Sequence, residues 1–135
     1  MSTVREAMNP VGVTVGTGHT MREAARRMID GGTGAAVVLD ADLPAPGIVT
    51  ERDVLRCAGA GCDLDAELVG DHLTADVVYA EPEWPIEQAA ERMVAGGFRH
   101  VIVLAGSEIV GILSMRDIVA RWVRESTAAR GVLTA

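Results

Sequence analysis

The chain reads twice. A shift of 65 positions, which takes Met28 to Met93, lays Ala24-Ala25 on Ala89-Ala90, Arg27 on Arg92, Gly31-Gly32 on Gly96-Gly97 and Val38-Leu39 on Val103-Leu104. Val4 falls on Val69 by the same shift. With one residue fewer in the second copy, Gly47-Ile48-Val49-Thr50-Glu51-Arg52-Asp53 falls on Gly111-Ile112-Leu113-Ser114-Met115-Arg116-Asp117. An internal repeat of this kind restricts the fold to one supersecondary unit made twice. Compositional coincidence would not also keep Thr against Ser and Val against Leu.

Each copy predicts the same elements. Val13-Thr14-Val15 and Val77-Val78-Tyr79 are short β-branched runs that read as strands. Helices follow. Met21, Ala24, Ala25, Met28 and Ile29 form an apolar stripe with helical spacing, and Ile86, Ala89, Ala90, Met93 and Val94 repeat it. Gly31-Gly32 and Gly96-Gly97 end these helices. Ala36 to Leu39 and Val101 to Leu104 are continuously apolar, as strands covered on both faces are. Turns come next, at Asp40 to Pro46 and at Ala105 to Glu108. A last strand in each copy ends at Thr50 or Ser114, where a final helix begins. That helix carries Val54 and Leu55 in one copy and Ile118, Val119 and Trp122 in the other. The order is β-α-β-β-α, twice, an α/β (α+β) fold. Val4 to Met8 and Val69 to Leu73 read as short lead-in helices, Asp63 to Asp71 as the linker, and the chain beyond Trp122 as a frayed tail. The expected division is repeat 1 at 1–62, repeat 2 at 63–124 and a tail at 125–135, closing as one compact module.

Composition excludes several functions. Twelve Lys and Arg against nineteen Asp and Glu give a net charge of −7, which repels a phosphate backbone, and the 3% aromatic content is too low for a stacking platform. No nucleic-acid partner is expected. No apolar run approaches the roughly 20 residues of a membrane span and no signal peptide is apparent at the start, so a cytoplasmic protein without membrane partners is expected. Cys57 and Cys62 are separated by four residues, and none of His19, His72 and His100 completes a metal-binding spacing. No metal site is expected, and in a reducing compartment the cysteines are expected as free thiols. No nucleophile, base and orienting group cluster, and no long phosphate loop is present, so no enzyme is expected.

The repeated motif that remains is Thr50-x-x-Asp53 and Ser114-x-x-Asp117. One reading is a capping box, in which hydroxyl and carboxylate close the first helical turn. The other is a ligand site. A helix start at the end of a strand presents free amides and the positive end of a dipole to an anion, a hydroxyl beside it suits phosphate, and a carboxylate suits the paired hydroxyls of ribose. Arg52 and Arg116 in the first turns are either surface residues or anion-binding cations. Arg99-His100, just before an apolar strand, are either a solvated pair or part of the same site.

Val-Arg-Glu-Ala-Met (4 to 8), Met-Arg-Glu-Ala-Ala-Arg-Arg-Met (21 to 28), Gly-Gly-Phe-Arg-His-Val-Ile-Val (96 to 103) and the two Gly-apolar-apolar-Ser/Thr-x-x-Asp segments resemble a tandem pair of cystathionine-β-synthase (CBS) domains. The resemblance covers about residues 4 to 124 and identifies a stand-alone pair, a Bateman module. It implies that the repeats pack through their sheets about a pseudo-twofold axis and leave two clefts. It implies that Asp53 and Asp117 hold ribose hydroxyls, that Thr50 and Ser114 bind phosphate or the ribose-phosphate junction, and that Arg99 and His100 serve the Thr50/Asp53 cleft. Gly34-Ala35 correspond to that basic pair in the first copy, so Arg116 or the helix end would have to serve the other cleft, and the clefts should be unequal. The family pattern often has Pro inside the second strand, where this chain has Val37 and Ile102. The implied function is a non-catalytic regulatory module, usually a homodimer, that needs no cofactor and binds AMP, ADP, ATP or S-adenosylmethionine on behalf of a separate regulated protein. The alternative is a ligand-independent dimerisation or protein-interaction module.

Overall fold

The computed structural model describes residues 2–74 and 77–134. In chain order the elements are α1 (Val4–Ala7), β1 (Thr14–Val15), α2 (Met21–Gly31), β2 (Ala35–Val38), β3 (Gly47–Thr50), α3 (Glu51–Gly59), a 3-10 turn at Val69–Asp71, β4 (Tyr79–Ala80), α4 (Ile86–Gly96), β5 (His100–Ala105), β6 (Glu108–Ser114) and α5 (Met115–Thr134). The mixed α/β class and the doubled β-α-β-β-α order are as the repeat predicts.

Two compact units result. One is Val11–Val77, here the Thr50 unit; the other is Met1–Pro10 with Val78–Ala135, the Ser114 unit. The repeat in the sequence and the unit of packing are therefore different stretches of chain. The reason lies in the lead-in segments. Val4 is fully buried among Ile86, Ala89, Met93, Leu113 and Ile118, and Val69 among Met21, Ala24, Met28 and Cys57. The first lead-in thus completes the core of the second repeat, and the second lead-in completes that of the first.

Each unit holds one three-stranded sheet in chain order, with a parallel first pair and an antiparallel second pair. All four residues of β2 are buried, and Val101, Ile102 and Val103 are buried in β5, which accounts for the apolar runs as far as Val38 and Val103; Leu39, 47% exposed, lies beyond β2. The Thr20 hydroxyl caps α2 by accepting from the Glu23 N–H at 3.1 Å, and Gly32 and Gly97 close α2 and α4 in the left-handed conformation.

The structure corrects four expectations. Ile29 and Val94, the last members of the helical stripes, are 79% and 75% exposed, since the buried faces end with Met28 and Met93. The tail is helical rather than frayed, because α5 continues to Thr134, and it is tied down where Glu125 accepts from the Ser2 hydroxyl. The first strand of the second copy lies at Tyr79–Ala80, later than the Val77-Val78-Tyr79 run, because its register pairs Tyr79 with Ile102 and Ala80 with Val103. Cys57 and Cys62 form a disulfide rather than standing as free thiols. Their Cα atoms are 5.4 Å apart because the chain turns back after α3 through Gly61 (φ 81°), where the Cys62 N–H donates to the Cys57 carbonyl at 3.1 Å.

Candidate functional site

Both repeated motifs stand at strand-to-helix junctions. In the Thr50 unit, β3 pairs with β2 so that Thr50 faces Ala35, and the Glu51 N–H donates to the Gly34 carbonyl at 2.9 Å. In the Ser114 unit, Ser114 faces His100 and the Met115 N–H donates to the Arg99 carbonyl at 2.8 Å. Gly34-Ala35 and Arg99-His100 thus occupy equivalent places, as the repeat implies.

The capping geometry is present at both starts. The Thr50 backbone N–H donates to Asp53 Oδ2 at 2.8 Å, and the Thr50 hydroxyl lies 3.3 Å from the same oxygen. The Ser114 N–H donates to Asp117 Oδ2 at 2.8 Å, and Ser114 Oγ accepts from the Asp117 N–H at 3.0 Å. These bonds stabilise the helices whether or not a ligand binds, by about 1 kcal/mol each. They also hold each carboxylate and hydroxyl side by side, half-buried, beside the amides of a helix first turn. Arg52, Arg99 and Arg116 are exposed, and His100 is half-buried at the start of β5.

The two starts differ. At the Ser114 start the Asn9 side-chain amide donates to Asp117 Oδ1 at 2.9 Å. Asn9 lies outside the residues that the motifs mark. A signal for it exists in the repeat itself: Asn9 and Thr74 are 65 positions apart and bridge Ile112 and Ile48 in the same antiparallel manner. At the Thr50 start the Glu51 carboxylate lies where a side chain on Gly34 would be, 2.8 Å from an ideal Cβ there. Its counterpart is Met115, so the acidic charge beside the Thr50 motif is not repeated. Gly47 and Gly111 serve the backbone rather than a ligand. A Cβ on Gly111 would stand 2.7 Å from the Asn9 carbonyl oxygen, and one on Gly47 3.1 Å from that of Thr74. The lead-in backbone crosses the strand where the glycine leaves room.

A pair of three-stranded units, each ending a strand in a hydroxyl-x-x-carboxylate helix start, defines an α/β repeat protein. The CBS-domain family model matches residues 4–59 and 69–124, and the chain belongs to that family. Proteins built on CBS pairs are regulatory modules and generally non-catalytic. An uncharacterized 17.7 kDa protein of Acidianus ambivalens is 34% identical over 100 residues, which are 73% of this chain and 60% of that one. A CBS domain-containing protein of Bacillus subtilis is 26% identical over 129 residues, 95% of this chain and 91% of that one. The chain spans 60%, 41% and 37% of the first three curated relatives it matches. Among solved structures, a CBS-domain protein of Pyrobaculum aerophilum complexed with AMP superposes with a TM-score of 0.76 at 31% identity, covering 86% of this chain and 89% of that one. A CBS-domain containing protein of Agrobacterium tumefaciens gives 0.79 at 33%, covering 89% and 98%. Among the described residues no helix is long and apolar enough to cross a membrane.

Proposed function

We propose that this chain is a non-catalytic sensor that binds an adenosine-containing ligand at its two helix starts and passes the occupancy to a regulated protein in the cytoplasm. Asp53 and Asp117 take the ribose hydroxyls, Thr50 and Ser114 the phosphate or its ester oxygen, and Arg52, Arg99, His100 and Arg116 supply positive charge to the phosphate. The observation that carries this reading is the pairing of hydroxyl, carboxylate and helix amides at both starts, in a chain 31% identical to a protein solved with AMP. AMP is the first ligand to test, followed by ADP, ATP and S-adenosylmethionine. A ligand at about 100 times its Kd stabilises the folded state by about 2.7 kcal/mol, or several degrees of melting temperature. The melting temperature is expected to rise with one of these ligands and to stay fixed in the Asp53→Ala/Asp117→Ala double variant. A melting temperature indifferent to all four would reject the sensor.

A second reading, a dimerisation or interaction module, is favoured by one observation. Leu55, Val119, Trp122 and Val123 are 72%, 48%, 40% and 57% exposed on α3 and α5, apolar area that a homodimer would cover. On this reading Trp122 serves as a subunit contact. Sedimentation of the wild type and of Trp122→Glu tests it: a dimer reduced to monomer by the variant supports the assembly, and a monomeric wild type removes it. The two readings are compatible.

A further inference from the structure

We propose that Cys57, Cys62 and His72 form a thiol-controlled zinc site, closed as a disulfide when oxidised and open to one zinc ion when reduced. The three side chains offer ligand atoms that all lie within 4.8 Å of one another. Cys57 is 3% exposed at the end of α3, and Cys62 and His72 are half-buried. A tetrahedral zinc with bonds of about 2.0–2.3 Å separates its ligands by about 3.3–3.8 Å, so small side-chain rotations suffice once the sulfurs part. Two thiolates and an imidazole select zinc over the hard cations that prefer oxygen. Glu67 adds a carboxylate at 3.6 Å from His72 Nε2, close enough to orient the imidazole and offset the ion's charge.

The repeat supplies an independent argument. The Met21 N–H donates to the Glu67 carbonyl as the Ile86 N–H donates to that of Ser2, and Leu73 to Val69 as Met8 to Val4, so the two lead-ins are superimposable in their bonding. By this register Cys57 matches Arg121, Glu67 matches Ser2 and His72 matches Ala7. In the Ser114 unit the place is filled by a cation: the Arg121 guanidinium donates to Ser2 Oγ at 2.7 Å and to Glu6 Oε2 at 3.1 Å, with Glu125 alongside. In the Thr50 unit the arginine is replaced by a cysteine facing a second cysteine, a histidine and a carboxylate. The site between final helix and lead-in is one for positive charge, and a zinc ion would take the place of the guanidinium.

The chemistry balances with a thiol as reductant. Two RSH convert the disulfide to two cysteine thiols and RSSR, and zinc then displaces two protons to form two zinc-thiolate bonds. A disulfide oxidant reverses this: RSSR and two protons regenerate the Cys57–Cys62 bond, two RSH and free zinc. The bound ion would fix the end of α3 to the 3-10 turn in the reduced state, as the disulfide fixes the two ends of the Cys57–Cys62 turn in the oxidised one.

The test is titration of the full chain, reduced with a phosphine, with cobalt(II) alone and then zinc alone. One equivalent of cobalt should produce thiolate charge-transfer absorption and the visible bands of a tetrahedral ion, zinc should displace it, and the oxidised protein should show neither. Cys62→Ser should remove most of the charge-transfer intensity, His72→Ala should weaken zinc at least about 10-fold, and Glu67→Gln should weaken it about 10- to 100-fold. Circular dichroism reports folding at each step. Should reduction unfold the chain, added zinc is expected to restore the native spectrum, and failure to do so overturns the site. Absence of charge-transfer absorption in the reduced protein, or uptake indifferent to Cys62→Ser and His72→Ala, overturns it as well.

Discussion

The Thr50 unit and the Ser114 unit have the same frame and different polar contents. Their strands pair in the same order, their lead-ins bridge the last strand through equivalent residues, and their cores hold matching side chains such as Met21 and Ile86 or Met28 and Met93. The polar positions diverge. Glu51 stands against Met115, Gly34-Ala35 against Arg99-His100, Thr74 against Asn9, and Cys57 against Arg121. Backbone hydrogen bonds and most of the apolar burial are alike in the two copies, while the residues around the helix starts and between final helix and lead-in differ chemically, the buried Cys57 among them. One consequence concerns the ligand. Asn9 occupies Asp117 Oδ1 with a side-chain amide, whereas its counterpart in the Thr50 unit is Thr74, which carries no amide. On the proposed function, a ribose hydroxyl donating to Asp117 Oδ1 would compete with that amide.

The frame is tested first, where effects are largest. Met21→Ala and Ile86→Ala each empty a fully buried, equivalent position, and each is expected to cost about 2–5 kcal/mol in denaturant unfolding. A large loss for one and almost none for the other would break the equivalence. The glycine crossings come next. Gly111→Ala should cost about 1–3 kcal/mol because its Cβ meets backbone at 2.7 Å, and Gly47→Ala should cost less because the contacts there begin at 3.0 Å with a Leu73 methyl. A harmless Gly111→Ala would mean that the lead-in is loosely held. Ser114→Ala and Thr50→Ala should each lower stability by about 1 kcal/mol without ligand, and equal losses would show that the two caps are energetically one motif.

The smallest difference is read in acid. The Asp40 carboxyl is held below its ordinary value of 3.8 first by the Thr17 hydroxyl and then by the backbone N–H groups of Asp42 and Thr17, while Glu6, in the other unit, is held below 4.5 by its bonds to Thr3. A depressed folded pKa adds stability above the unfolded value and loses it as pH falls through the folded one. Asp40→Asn should therefore be less stable than wild type near neutrality, with the gap closing below about pH 4. A gap constant with pH would show that the carboxylate's charge is not what Thr17 stabilises.

Much of this is legible in the sequence. The repeat carries the element order, the capping motifs and the equivalence of Arg99-His100 with Gly34-Ala35, because these depend on local periodicity and on residues a few positions apart. The partners of the lead-ins are not legible. Val4 shows that it is apolar but not which core it enters, since that choice is settled by long-range pairing of Asn9 with Ile112. For the same reason Asn9 escapes a reading by motif, since it reaches a carboxylate 108 residues away and only the 65-position repeat points to it; His72 is close in sequence to Cys62, but its place beside the two cysteines depends on how the chain turns back after α3. The disulfide turns on a single left-handed glycine, Gly61, whose conformation composition does not reveal. The tail reads as frayed because its Ser-Thr pair weakens a helical pattern that Ser2, at the other end of the chain, holds in place through Glu125.

The central claim is that the two helix starts are nucleoside sites of unequal strength. Calorimetric titration of AMP into the wild type, Asp53→Ala, Asp117→Ala and Asn9→Ala tests it most directly. Asp53→Ala should abolish the tighter binding, Asp117→Ala should leave it and remove only a weaker phase, and Asn9→Ala should strengthen that weaker phase. AMP heats that are unchanged in both aspartate variants would contradict the claim.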